Sequence, residues 1–167
     1  MITRNNNYEL QMTNSEFLEY PQQIKKSILI NNSVSKVWEY LTIPGLMQQW
    51  MGEMEMDIEI LTDWKVGGPF IVKGFHHTPF ENKGEILQWE PEIIFQYSHL
   101  SSLSNLPDEA ENYTIITFQL NESDGQTELT IGAKNFPTES IYKHWEFYWN
   151  GTMHLLKQVI ENGKFKN

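Results

Sequence analysis

The chain has 167 residues with 22 acidic against 12 basic side chains, a formal net charge of −10, and no cysteine. A phosphate backbone would be repelled by that charge, and disulfides and thiolate metal sites are excluded. No run of 18 apolar residues and no basic-then-apolar start is present, so neither a membrane span nor a secretory leader is expected, and the chain is read as cytoplasmic.

Residues 1–21 are polar, with Asn5-Asn6-Asn7 and no clear period, and read as a loosely ordered arm. Tyr8, Leu10, Phe17, Leu18 and Tyr20 give that arm something to dock with, on this chain or on a partner. Residues 22–167 read as one domain. Gln23–Ile30 is a first strand. Ser33 caps a helix from Val34 to Leu41 whose Val34, Val37, Trp38 and Leu41 share a face. Pro44-Gly45 breaks it, and a second short helix, Leu46–Met51, carries Trp50.

Met54–Leu61 alternates apolar and acidic residues. That period predicts a half-exposed strand with Met54, Met56, Ile58 and Ile60 inward. Trp64 and Gly67-Gly68-Pro69 form a turn, Phe70–Phe75 a strand and His76-His77-Thr78-Pro79 a loop. Lys83–Trp89 and Ile93–His99 form a hairpin about Glu90-Pro91-Glu92, with Phe95, Tyr97 and His99 on one face. After a polar loop, Tyr113–Leu120 and Thr127–Lys134 pair around Ser123-Asp124-Gly125. The last segment, Ser140 to Asn162, is helical in period. Its stripe runs Ile141, Trp145, Trp149, Thr152, Leu156, Val159, Ile160, and Thr138 or Ser140 caps it.

Strand, two short helices, about six further strands and a long helix, with several tight turns, imply an antiparallel meander. The fold class expected is α+β: a curved antiparallel sheet of six to seven strands wrapped around the closing helix.

That order, with Val37-Trp38-Glu39-Tyr40-Leu41-Thr42, Pro44-Gly45, Trp64-Lys65-Val66-Gly67-Gly68-Pro69-Phe70, Lys83 through Pro91 and Gly151 through Lys157, resembles the helix-grip fold of the START-like (SRPBCC) superfamily. Within it, the motifs are similar to the family named for the activator of the heat-shock-protein-90 ATPase. The resemblance runs from about Gln23 to Gly163. This chain departs from the usual Gly-Trp of the last helix, having Thr152 after Gly151. The resemblance implies a deep, mostly apolar pocket between that helix and the sheet, used in the superfamily for lipids, hormones and polyketides, and by some members for cyclase or aromatase chemistry.

The residues themselves point the same way. Trp64, Phe70, Phe75, Trp89, Phe95, Tyr97, Phe118, Phe136, Trp145 and Trp149 exceed what a core of this size needs, so with His77 and Thr152 they are the expected pocket lining. Tyr97, His99, Gln96, His77 and His144 are the candidate polar groups. A glycine inside a helix costs about 1 kcal/mol against alanine, so Gly151 is read as room for the sheet or for a ligand.

No nucleophile elbow, phosphate loop or metal-ligand spacing appears, so no catalytic residue, cofactor or metal is expected. The expected function is binding of a hydrophobic or aromatic small molecule. One alternative is a cyclase-like enzyme with a pocket His or Tyr as acid and base. The other is a co-chaperone-like interaction module acting on a heat-shock ATPase. The chain is expected as monomer or homodimer.

Overall fold

A computed structural model describes residues 19–163. The expected arm up to residue 18 lies outside the described residues. Eight strands and three helices follow in the order β1 (Gln23–Ile30), α1 (Val34–Thr42), α2 (Pro44–Met51), β2 (Glu59–Thr62), β3 (Phe70–His76), β4 (Thr78–Lys83), β5 (Ile86–Glu90), β6 (Ile94–Ser101), β7 (Thr114–Ser123), β8 (Gln126–Lys134) and α3 (Glu139–Asn162). All strand pairs are antiparallel and run β1-β8-β7-β6-β4-β3-β2, with β5 also paired to β6.

The local reasons are visible in the sequence. Ser33 accepts a hydrogen bond from the Lys36 backbone N–H at 3.2 Å and so starts α1. Ile43 ends α1 and begins α2, because Pro44 has no N–H to give and its fixed φ suits a first helical turn. Asp124 and Gly125 both take positive φ, the geometry of a two-residue hairpin turn between β7 and β8. Thr138 caps α3 through the Ile141 N–H at 3.2 Å.

Burial follows the period of each element. On α3, Trp145, Trp149, Thr152, Met153, Leu156, Val159 and Ile160 are buried. They lie with Ile116, Phe118 and Leu120 of β7 and Leu129, Ile131 and Ala133 of β8 in one core. The turn of α2 is fixed twice. The Trp50 indole donates to the Tyr40 carbonyl at 2.8 Å, and the Tyr148 hydroxyl of α3 donates to the Met51 carbonyl at 2.9 Å.

Three expectations change. Met54–Met56 is a 3-10 turn, and Met54 is 84% exposed. Asp57 in the left-handed region (φ 46°) interrupts the alternating run, so only Ile58 and Ile60 turn inward and the strand is confined to Glu59–Thr62. The expected loop at His76–Pro79 is a tight reversal in which His76 pairs with Thr78 and His77 takes φ 60° between them. This reversal creates β4, the strand beyond the seven read from the sequence. Gly151 makes room for neither the sheet nor a ligand: it is exposed, and a Cβ built on it would meet nothing within 4 Å.

Candidate functional site

The concave face of the sheet meets α3 through rings. Period-two geometry puts Phe95, Tyr97 and His99 of β6 on the face that also holds Phe118 of β7. A continuous path of aromatic contacts begins at Trp64, stacked on Trp89 with centroids 4.7 Å apart. Trp64 and Trp89 meet Phe95 at 5.7 and 5.9 Å. Phe95 stacks on Phe118 at 4.9 Å, and Phe118 meets Trp149 edge-on at 5.6 Å. Trp149 lies 6.1 Å from Trp145, which meets His99 at 4.9 Å. Phe70 joins through Tyr97 at 4.2 Å.

Eight of the twelve predicted lining residues are therefore on one path: Trp64, Phe70, Trp89, Phe95, Tyr97, Phe118, Trp145 and Trp149. Thr152 is buried one turn beyond Tyr148 on α3. Phe136 is buried in the same core, at the start of α3, where its ring meets Tyr142 at 5.5 Å and its carbonyl accepts from the Tyr20 hydroxyl.

Phe75 and His77 stand apart from the other ten. Both are exposed on the β3–β4 hairpin, Phe75 by 50%. Phe70 and Val72 point inward on β3, and Phe75 falls on the opposite phase, so the strand's own period turns it out. His77 occupies the tip of the hairpin.

Three participants escaped the sequence reading of the site. Trp38 and Trp50 come from the short helices, Trp38 touching Trp89 and Phe95 and Trp50 touching Phe118 and Trp149. Their placement on the apolar faces of α1 and α2 was the available signal. Tyr148 sits one residue off the predicted stripe of α3, and no pattern separates it from a surface tyrosine.

The polar groups of this interior lie where β6 faces the first half of α3. Burial drives the hydroxyls of Tyr97 and Tyr148 far above the ordinary phenol range, the neighbourhood of Tyr148 adding to the effect on Tyr97. The Thr152 hydroxyl works in the opposite direction on Tyr148. Lost hydration lowers His99 to about 4, with a smaller contribution from His144, which is itself lowered by desolvation. Tyr97, Tyr148 and His99 are therefore uncharged near neutral pH, while His144 lies exposed on α3 at the edge of this interior. The Trp149 indole nitrogen is buried without a hydrogen-bond acceptor among the described residues. Gln96, the remaining polar candidate, faces away and donates to Thr117 at 2.9 Å.

In this structure the protein's own rings occupy the space beneath α3. Phe95, Phe118 and Trp149 are each 1% exposed. A cleft of about 290 Å³ lies elsewhere, where the start of α1 meets the β7–β8 turn, lined by Ser33, Val34, Ser35, Glu122, Gly125 and Gln126. None of the twelve predicted residues lines it.

A long helix gripped by an antiparallel sheet, with two short helices after the first strand and an aromatic interior, defines a helix-grip domain of the START-like class. The profile of the Activator of Hsp90 ATPase homolog 1-like protein family matches residues 31–161, and the chain belongs to that family.

Among solved structures, the chain is similar to ChR145 from Cytophaga hutchinsonii. The identity is 34%, with 87% of this chain and 97% of that one covered, at a TM-score of 0.71. It shares its fold with the Aha1 dimer from Colwellia psychrerythraea (21% identity, 85% and 98% covered, TM-score 0.67). It also shares it with CalU16 from Micromonospora echinospora (21% identity, 84% and 76% covered, TM-score 0.63). No curated protein matches the chain. Among the described residues, no helix is long and apolar enough to cross a membrane.

Proposed function

We propose that the protein binds a hydrophobic or aromatic small molecule between α3 and the sheet. The observation that carries this reading is the unbroken ring path from Trp64 to Trp145, which joins the turn before β3, and β5, β6 and β7, to α3 with uncharged phenol and imidazole groups along it. Binding pockets have this composition, mostly apolar with a few placed polar groups. A ligand enters by displacing rings. Trp64 and Trp89, only partly buried, mark the end of the path nearest solvent.

The test is tryptophan fluorescence with a library of lipids, flavonoids and polyketides, followed by amide chemical-shift mapping of each hit. Saturable quenching, with shifts confined to β6, β7 and α3, is the expected result. Quenching that never saturates, or shifts confined to the surface, overturns the reading.

A second reading, cyclase-like acid–base chemistry, draws support from Tyr97 and His99 standing on the same inward face of β6. It requires turnover of a bound polyketide that is lost in Tyr97→Phe. The family's name supports a chaperone partner, for which stimulated ATP turnover by a heat-shock ATPase is the assay. Residence in the cytoplasm and the choice between monomer and homodimer belong to the same proposal. The Colwellia protein is a dimer, and sedimentation of this chain decides between the two states.

A further inference from the structure

We propose that Trp149 is a specificity-determining donor: its indole N–H selects ligands that carry an uncharged acceptor oxygen over hydrocarbons of the same shape. The inference rests on the small-molecule reading above and narrows its ligand class.

Two tryptophans of the same core make the contrast. Trp50 and Trp149 lie 6.4 Å apart and are 2% and 1% exposed. The Trp50 indole is satisfied by the Tyr40 carbonyl at 2.8 Å. The Trp149 indole has no acceptor among the described residues. A buried N–H left without a partner forfeits the hydrogen bond it made to water in the unfolded chain, and native interiors rarely tolerate this.

The surroundings of Trp149 explain why the chain does not supply the acceptor. Its ring is flanked by Phe118 at 5.6 Å and Trp145 at 6.1 Å, in addition to Trp50. The adjacent Tyr148 hydroxyl spends its proton on the Met51 carbonyl.

The chemistry of the missing partner follows from the donor. An indole N–H can donate and cannot accept, so the complement is an oxygen with a free lone pair. Among the described residues no lysine or arginine is buried, so a carboxylate or phosphate would arrive without a counter-charge. A ketone, ester or quinone oxygen meets the requirement without that cost. A planar ring system carrying such an oxygen also matches the stacked and edge-on rings around it.

The experiment compares 9-fluorenone with fluorene, a shape-matched pair of which only the first carries a carbonyl oxygen. Affinities for the full chain are measured by fluorescence titration. The six indole N–H resonances are followed in ¹⁵N-labelled protein, that of Trp149 being assigned by its loss in Trp149→Phe.

The expected result is that fluorenone binds about tenfold more tightly than fluorene. The Trp149 indole proton moves downfield with fluorenone alone. In Trp149→Phe the preference falls below about twofold; the readout is the ratio of the two affinities within that variant, in which any loss common to both probes from the smaller ring cancels.

Equal affinities, or a Trp149 indole proton that fluorenone leaves unmoved, overturn this inference alone; the N–H is then satisfied by a neighbouring ring face such as that of Phe118. The proton shift is read in the unaltered protein, so that arm stands even where Trp149→Phe folds poorly. Binding of neither probe overturns this inference together with the small-molecule reading for planar aromatic ligands.

Discussion

Phe95 and Phe118 sit directly opposite each other across β6 and β7, their rings stacked with centroids 4.9 Å apart at 21°. Both are 1% exposed, and the pair connects the Trp64–Trp89 end of the aromatic path to Trp149. Truncating either to alanine should remove about 3–5 kcal/mol of stability, the usual cost of emptying a buried aromatic site. The pairing itself is tested by a double-mutant cycle with Phe95→Leu and Phe118→Leu in urea. A coupling of about 1 kcal/mol is expected, and additivity would show that the two rings act only as separate apolar volume.

Gly84, between β4 and β5, is constrained by a carbonyl. A Cβ placed on it would lie 1.6 Å from the Ser98 backbone oxygen. The approach is held by bonds on both sides: the Phe70 N–H donates to the Gly84 carbonyl, the Glu85 N–H to the Ser98 hydroxyl, and the Ser98 N–H to the Glu85 carbonyl. Backbone cannot yield as a flexible side chain can. Gly84→Ala should cost about 3 kcal/mol or more, seen as a lowered urea midpoint, because one methyl must push two strands apart. An unchanged midpoint would mean that the β4–β5 connection repacks freely.

Much of this architecture was legible because it rests on local rules. The Ser33 cap, the Pro44 break, the Asp124-Gly125 turn and the stripe of α3 each follow from one or two residues. Phe70, Phe95, Tyr97, Phe118, Trp145 and Trp149 of the ring path follow from the inward phases of their strands and of α3, whereas Trp64 sits in the turn before β3, where no period places it. Phe75 has the aromatic character of a lining residue, but its phase relative to Phe70 and Val72 turns it outward, and period decides. Met54 shows the opposite, since the alternation is real but Asp57 breaks the strand. Trp38, Trp50 and Tyr148 needed the tertiary arrangement, because only the docking of α1 and α2 against β6 and α3 decides which faces become interior. The unpaired Trp149 nitrogen could not be read from sequence at all. It depends on where a carbonyl is absent.

Gly151 offers the contrasting case to Gly84. It lies within α3, faces solvent and has open space where a Cβ would go. The helix therefore carries the full entropic cost of glycine with no packing return. Gly151→Ala should raise stability by about 1 kcal/mol and leave ligand affinity unchanged. Calorimetry of the thermal transition reads the first outcome and fluorescence titration the second. A loss of stability would mean that the exposed face of α3 is covered in solution, by a second copy or by the chain's own first residues.

His99 makes stability fall in mild acid. Its ring packs edge-on against Trp145 at 4.9 Å, and burial lowers its pKa to about 4. In the unfolded chain the same group titrates near 6.5. The unfolded state therefore binds the proton first as pH falls. The contribution of neutral His99 is complete above about pH 6.5 and is lost progressively as pH falls toward 4. Between pH 7 and pH 5 the loss should be about 2 kcal/mol, from the separation of the two pKa values. His144, lowered in the same direction by desolvation, adds to the slope. Urea denaturation at half-unit intervals should show a marked fall in wild type and a nearly flat profile in His99→Phe combined with His144→Gln. A wild-type profile already flat from pH 7 to 5 would place His99 in contact with water and remove it from the interior polar set.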